Sequence, residues 1–393
     1  MDVEKVNLWT YKMMCGFALT ISLSMAASNV FLALSILAFF YRLWLKHDDV
    51  ITFYNKYSTI LKLLGVLMLT VVVSSLLSGE PSYSLKVAAD FYLYRIMPFF
   101  IIWFVTKTQR QLLILVLLIF ASMVFNAFAA IGQVYIVDHY TVDFIDRFSG
   151  LIPYMAEATQ LTVAVPLVAI AAVHYKKYRG ILVFSLLILI AAFFFNMTRG
   201  AWLSSLAVLI VLIFIYGKNI KPVIAVLAAF VCFGYLLYSN VPKIEARVNT
   251  IAVYNIADTE RMKLIHSAYN MWNDNKIFGI GFGRFKLDYK EKYMLPDATE
   301  KHLEHAHNNF MHVLAETGVV GELAFLAFWG YLLFFAFKNW RLTKNPYAFF
   351  MLAIILAVHL HGLSEYTLGA SRTIKFTYFA LGIALTGLDE GRS

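Results

Sequence analysis

At 393 residues, 61% of them hydrophobic, and with a mean hydropathy of +0.70, the chain carries more apolar surface than one water-soluble core could enclose. That excludes a soluble globular protein and predicts an all-α polytopic membrane protein. A formal charge of +9 would suggest nucleic acid in a soluble protein. Here the basic residues must first be sorted by side of a membrane, and no nucleic-acid partner is implied.

The opening stretch MDVEKVNLWTYKMM mixes acidic and basic residues, and no small-residue cleavage site closes a short apolar region after it, so the first apolar segment is expected to stay in the membrane. Twelve apolar segments follow in chain order, at roughly 11–25, 28–41, 62–78, 88–105, 111–135, 157–174, 181–196, 200–216, 222–239, 318–337, 346–361 and 374–388. With the N-terminus inside, the connections YRLWLKHDDVITFYNKYSTILK, TKTQR, HYKKYRG, YGKNIK and KNWRLTKN face the cytoplasm, and each is basic. The opposite connections, SGEPSYSLK, VDHYTVDFIDRFSG, NMTRG and SEYTLGASRT, carry one Lys or Arg apiece, the asymmetry of the positive-inside rule. Both termini are therefore expected in the cytoplasm. Cys15 and Cys232 lie within apolar runs and form no extramembrane disulfide framework.

One connection is long, roughly 78 residues from Ser239 to Glu316, and a loop of that size is usually functional or a small domain. The expected division is 1–239 for nine spans, 240–316 for a large outer loop, and 317–393 for three more spans. The loop holds charged, helix-like stretches and the run GIGFG (Gly279, Gly281, Gly283). Its spacing fits neither a dinucleotide fingerprint nor a phosphate loop, so a turn ending the preceding helix is expected. No internal repeat stands out, which argues against an inverted-repeat transporter.

The loop closes on HLEHAHNNFMHVLAETGVVG, with four of the chain's ten histidines within eleven positions. On a helical wheel His302, His305 and His312 share one face, either as a solvated polar side or as imidazoles able to hold a metal. No cysteine completes a soft ligand set. If the helix already includes position 307, His307 lies amid Phe310, Met311 and Leu314 and points inward. Burial would keep its imidazole neutral, as a general base requires; a core histidine bonded to a carbonyl is the plainer alternative.

The outer arginines are the second signal. Arg199 occupies a turn at the membrane boundary between two apolar spans, where a charge is costly unless it faces a cavity or partner. Arg261 lies on a helix-like outer stretch and Arg147 in another outer loop, with Lys86 and Arg372 as further cations of the same face. Several guanidinium forks converging on one cavity would suit the phosphates of a polyanionic lipid.

The segment HNNFMHVLAETGVVG resembles the signature of the O-antigen ligase and polymerase superfamily: His307, Asn308, nine residues, then Gly318 and Gly321. NMTRGAW resembles that family's arginine-bearing turn, and ERMKLIHSAYNMWNDNKIFGIGFGRF its stretch from an arginine through a tryptophan to a glycine-rich turn; the likeness runs from Asn196 to Gly321. The resemblance implies an all-helical fold like that of the GT-C-type lipid-linked sugar transferases. It also implies a ligase moving an undecaprenyl-pyrophosphate-linked glycan onto a sugar of lipid A core, at the periplasmic face of the inner membrane. By the same resemblance His307 is catalytic and Arg199 and Arg261 contact pyrophosphate, with Arg147, Asn308 and His305 as further substrate-binding residues. No cofactor or metal is implied, since arginines can neutralise the leaving group, and no oligomeric state is specified. The polymerase of the same superfamily and a transporter of the lipid-linked sugar are the competing readings. The mostly clean apolar runs, with suspicious residues on one side, favour chemistry at the outer face over transport.

Overall fold

The computed structural model of the protein describes residues 2–137, 147–216, 220–252, 260–299 and 303–389, and no strand occurs among them. The first ten helices are α1 (Val3–Thr20), α2 (Met25–Leu45), α3 (Asp48–Leu76), α4 (Pro81–Asp90), α5 (Met97–Val105), α6 (Gln109–Val137), α7 (Tyr154–His174), α8 (Arg179–Phe195), α9 (Arg199–Tyr216) and α10 (Ile220–Asn240). A π-helical turn, Phe91–Arg95, joins α4 to α5. The outer segment contributes α11 (Pro242–Ala252), α12 (Glu260–Asp274) and the short α13 (Phe285–Asp288); α14 (Asn309–Thr343), α15 (Pro346–His361) and α16 (Ser371–Gly387) complete the chain.

Each of the twelve expected apolar segments falls on or overlaps a helix. Among the described residues eight helices are long and apolar enough to cross a membrane, namely α2, α3, the continuous α4–α5, α6, α7, α8, α9 and α14. The remaining four expected spans are α1, α10, α15 and α16. The chain is an all-α polytopic membrane protein.

The predicted inner connection before α3 is much shorter than expected. Only Lys46 and His47 separate α2 from α3, and the polar run after them is already helical, with a non-helical kink at Tyr57. Arg42, fully buried, draws the two helices together by bonding Asp49 and the carbonyl of Lys46.

The glycines of the outer segment and of α14 explain one another. Gly318 (φ 66, ψ −170) breaks α14 into two limbs, which frees carbonyls on one side and N–H groups on the other. The glycine-rich turn takes up both. Ile280 and Gly281 donate to the carbonyls of Ala315 and Glu316 at 3.0 Å, while Val319 and Val320 donate to those of Lys276 and Ile277 at 2.9 and 3.2 Å. A Cβ at Gly279 would lie 2.4 Å from the Glu316 carbonyl carbon, and one at Gly318 2.3 Å from the Ile277 oxygen. The expected turn is present, and its function is to stitch the outer segment into the broken helix.

Around that stitch the outer segment has a small core of its own, built on Leu264, Met271, Ile280, Phe285 and Tyr289. The larger core lies within the helix bundle, where α14 packs on α3 and α15, and α16 on α5. Following the crossings in order, the connections 77–80, 147–153, 196–198 and 362–370 and the whole outer segment emerge at one end of the bundle.

Candidate active site

Helix α14 begins at Asn309, so His307 is not on its wheel. Asn308 is the N-cap: its backbone is extended (φ −156, ψ 125), its Oδ1 accepts from the Met311 N–H at 2.9 Å, and its Nδ2 donates to the Leu363 carbonyl at 3.0 Å. The extended cap breaks the 100° periodicity on which the inward direction of His307 was predicted. His307 instead adopts a left-handed backbone (φ 49), one that costs a non-glycine residue about 1–2 kcal/mol and that histidine tolerates better than most.

Two further ties fix this strained residue. Asn309 donates its N–H to the Gly362 carbonyl at 2.7 Å and its side-chain amide to Thr367 at 2.8 Å. The 362–370 connection is thereby held against the start of α14, and it delivers Glu365. His307 Nδ1 lies 2.9 Å from Glu365 Oε2, and His305 Nε2 lies 3.1 Å from Oε1. With Nδ1 donating to the carboxylate, His307 carries its proton there and leaves the Nε2 lone pair free.

Glu365 is the centre of the arrangement. Its side chain is 4% exposed, and Arg261, near the start of α12, brings Nη2 to 3.7 Å from Oε2. Burial by itself raises the carboxyl; the hydrogen bond from His307 and the charges of His307, His305 and Arg261 more than reverse this and hold it at about 2. His305 is pushed down to about 3, chiefly by burial and then by the neighbouring His307, against the pull of Glu365. At neutral pH the cluster is thus a carboxylate flanked by a neutral His305, whose buried Nδ1 has no partner among the described residues.

Arg199 arrives from the other side. It is the first residue of α9, after a turn in which Met197 is left-handed (φ 59). Asn196 fixes that turn by donating to the Tyr154 carbonyl at 3.0 Å and to Glu157 at 2.8 Å, and Asn126 donates to the other Glu157 oxygen at 3.0 Å. Arg247 of α11 donates to the Met197 carbonyl at 3.1 Å. A Cβ on Gly200 would meet Ser364 Oγ at 2.4 Å, so the N-terminus of α9 abuts the residue next to Glu365.

Several expected residues stand elsewhere. His302 lies outside the described residues. His312 does not share a solvated face: it is 4% exposed, accepts from the Ala306 N–H at 3.4 Å, faces Glu316 at 3.4 Å and stacks on Tyr366 at 3.7 Å. His305 joins His307, with ring centroids 4.4 Å apart, so the predicted division of the histidines by helical face does not hold. Arg147 lies over the Tyr154 ring at 4.4 Å, beside the Asn196 turn rather than on Glu365. Asn308 is engaged at both ends of its amide and serves to fix His307. The ligand atoms of His305, His307 and Glu365 lie within 4.8 Å of one another, a donor set that could also hold a metal ion. The hydrogen bond of His307 to Glu365 and the approach of His305 to the other carboxylate oxygen account for the same geometry.

Residues 184–326, from within α8 to the second limb of α14, match the family model described as O-antigen ligase. Over this segment the chain is similar to the O-antigen ligase superfamily. No curated protein matches it. That superfamily transfers glycosyl groups from lipid-linked glycans, and the match supports a membrane enzyme of that kind. The matched segment contains Arg199, Arg261, His305, His307 and Asn308, whereas Glu365, the residue that gathers three of them, lies beyond it.

Proposed function

We propose that the chain is the ligase of this superfamily, transferring a glycan from undecaprenyl pyrophosphate to a sugar of lipid A core at the periplasmic face of the inner membrane, with both termini cytoplasmic. The observation that carries the reading is the His307–Glu365 pair at 2.9 Å, with Arg261 on the same carboxylate and the Arg199 helix end beside it. Attack at an anomeric carbon needs a base at the acceptor hydroxyl and compensation of charge on the departing pyrophosphate. His307 Nε2 takes the hydroxyl proton, and Glu365 stabilises the imidazolium that forms. The acceptor oxygen bonds to the anomeric carbon as the bond to the pyrophosphate oxygen breaks, and Arg199 and Arg261 hold the anion that leaves. His305 packs against the base and lines the acceptor side, and Arg147 borders the donor side through the Asn196 turn.

This is a single displacement and inverts the anomeric configuration. Arginine supplies the charge compensation, so the reaction is independent of a divalent metal. The test is purified protein in detergent with lipid-linked glycan and lipid A core. Transfer with inversion, retained in chelator and lost in His307→Ala, is expected. Full ladders on lipid A core from His307→Ala, at normal expression in cells lacking their own ligase, would remove the base. Elongation of donor on donor with no acceptor used would assign the polymerase activity instead. Absence of any turnover, with lipid-linked sugar moved across vesicles, would make the chain a transporter.

A further inference from the structure

A second group of cations lies at the same end of the bundle, on the far side of the 362–370 connection. Arg95 ends the π-helical turn; its Nη1 donates to the Gly369 carbonyl at 3.3 Å and its Nη2 bonds Asp90, while its Nε is buried and without a partner among the described residues. Arg372, in the first turn of α16, is 5% exposed, and its Nε and Nη1 are likewise buried without a partner. Lys375, three residues on and fully buried, bonds the Asn29 side chain and sits 5.6 Å from the centre of the Tyr94 ring. Arg95 and Arg372 are both close enough to repel the Lys375 ammonium, and Asp90, half-exposed, is the carboxylate that reaches them.

Three cations against one carboxylate, two of them with buried N–H groups pointing at nothing, form an arrangement that folding alone disfavours. The N-terminus of α16 adds to it, because its N-cap is Ala370 and no side chain caps the first-turn N–H groups. These features have one common complement, a phosphate oxygen anion. The ends of α2 and α16 and the π-helical turn frame the group at the outer boundary of the helices, where a lipid headgroup lies.

We propose that Arg95, Arg372 and Lys375 form a second anion site that takes the phosphate of the acceptor lipid, while Arg199 and Arg261 take the donor's pyrophosphate. The inference rests on the ligase reading. Two anionic lipids must bring their headgroups to one base, and the 362–370 connection separates the two cation sets while carrying Glu365 between them. Tyr366 lies between the two groups: its ring faces His305 at 5.9 Å, and a Cβ at Gly369, whose carbonyl accepts from Arg95, would meet that ring at 2.4 Å. Sugars of an acceptor held by its phosphate would pass that ring on the way to His307.

The experiment uses the full-length protein and acceptor glycolipid before and after phosphatase treatment. Intact acceptor is expected to raise the thermal midpoint of the wild type, dephosphorylated acceptor to leave it unmoved, and Arg372→Met to respond to neither. In turnover, Arg372→Met and Lys375→Met should raise the acceptor KM about tenfold and leave the donor KM within twofold, and phosphatase treatment should cost the variants nothing further. Arg95→Gln, at a partly exposed site, carries the same test if the buried variants do not fold. Equal midpoint shifts with both acceptors, or an Arg372→Met penalty unchanged by phosphatase treatment, would overturn the proposal. So would tenfold competition by phosphatidylglycerol with no dependence on acceptor phosphate, which would give the site to bulk lipid. A midpoint shift that requires the phosphate and Arg372, in a protein that transfers nothing, would sustain the site and sink the ligase reading.

Discussion

Glu365→Gln removes one charge from a carboxylate that is 4% exposed, accepts from His307 at 2.9 Å and has His305 Nε2 3.1 Å from its other oxygen. Breaking a buried, hydrogen-bonded charge pair costs about 3–5 kcal/mol. The amide keeps part of that: its oxygen still accepts from His307 Nδ1–H, and its NH₂ can donate to His305 Nε2 when that nitrogen carries no proton. What is lost is the negative charge facing the imidazolium formed during transfer, about 3–4 kcal/mol, or a fall in kcat of roughly 10²–10³ at tenfold per 1.36 kcal/mol. In the proposed mechanism neither substrate contacts Glu365, so both KM values should stay within about threefold. Glu365→Asp keeps the charge but withdraws it by one methylene and should fall between. The assay is the initial rate of glycan transfer by purified protein at saturating donor and acceptor. Glu365→Gln at more than half the wild-type kcat would refute the role of the carboxylate and leave His307 to act unaided.

Other outcomes follow from the same geometry. His305 is held at about 3 in the folded protein against an ordinary imidazole value of 6.5, so the unfolded chain takes its proton first as pH falls. Its contribution to stability is complete above about pH 6.5 and shrinks towards pH 3; His305→Gln should flatten the thermal midpoint against pH in that window, and an unchanged slope would contradict the assignment. The low position of Glu365 acts in the same direction lower down, its contribution being lost as pH falls from the ordinary carboxylate range towards 2. Gly318→Ala would place a Cβ 2.3 Å from the Ile277 oxygen on a backbone that only glycine adopts freely; a loss of more than about 2 kcal/mol is expected, seen as reduced folded yield in size exclusion. Gly330→Ala, in the same helix with open space at its Cβ, should be neutral or mildly stabilising. Arg261→Lys keeps the charge but loses the planar fork, so a tenfold or greater rise in donor KM is expected from rates at varied donor.

Hydropathy alone located the apolar helices of this protein, because apolar runs of membrane length have few other uses and a buried backbone must satisfy itself within the helix. The asymmetry of Lys and Arg gives an expected side for those residues, again from local pattern. The motifs around Arg199, Arg261 and His307 were also legible, since each is a short contiguous pattern. The direction of His307 was not, although a signal existed: two asparagines ahead of Phe310 are the residues that cap a helix, and reading Asn308 as the cap would have taken His307 off the wheel. Glu365 had no such signal. It lies 58 residues from His307 along the chain, in a connection that sequence marks only as short, and only the packing of α15 and α14 brings it to that imidazole. The same holds for Arg372, which reads as an ordinary outer cation until the fold buries its Nε and Nη1 without a partner among the described residues. Local pattern fixes what a segment is. Which distant charges share a low-dielectric pocket depends on contacts between segments, and those exist only in the assembled bundle.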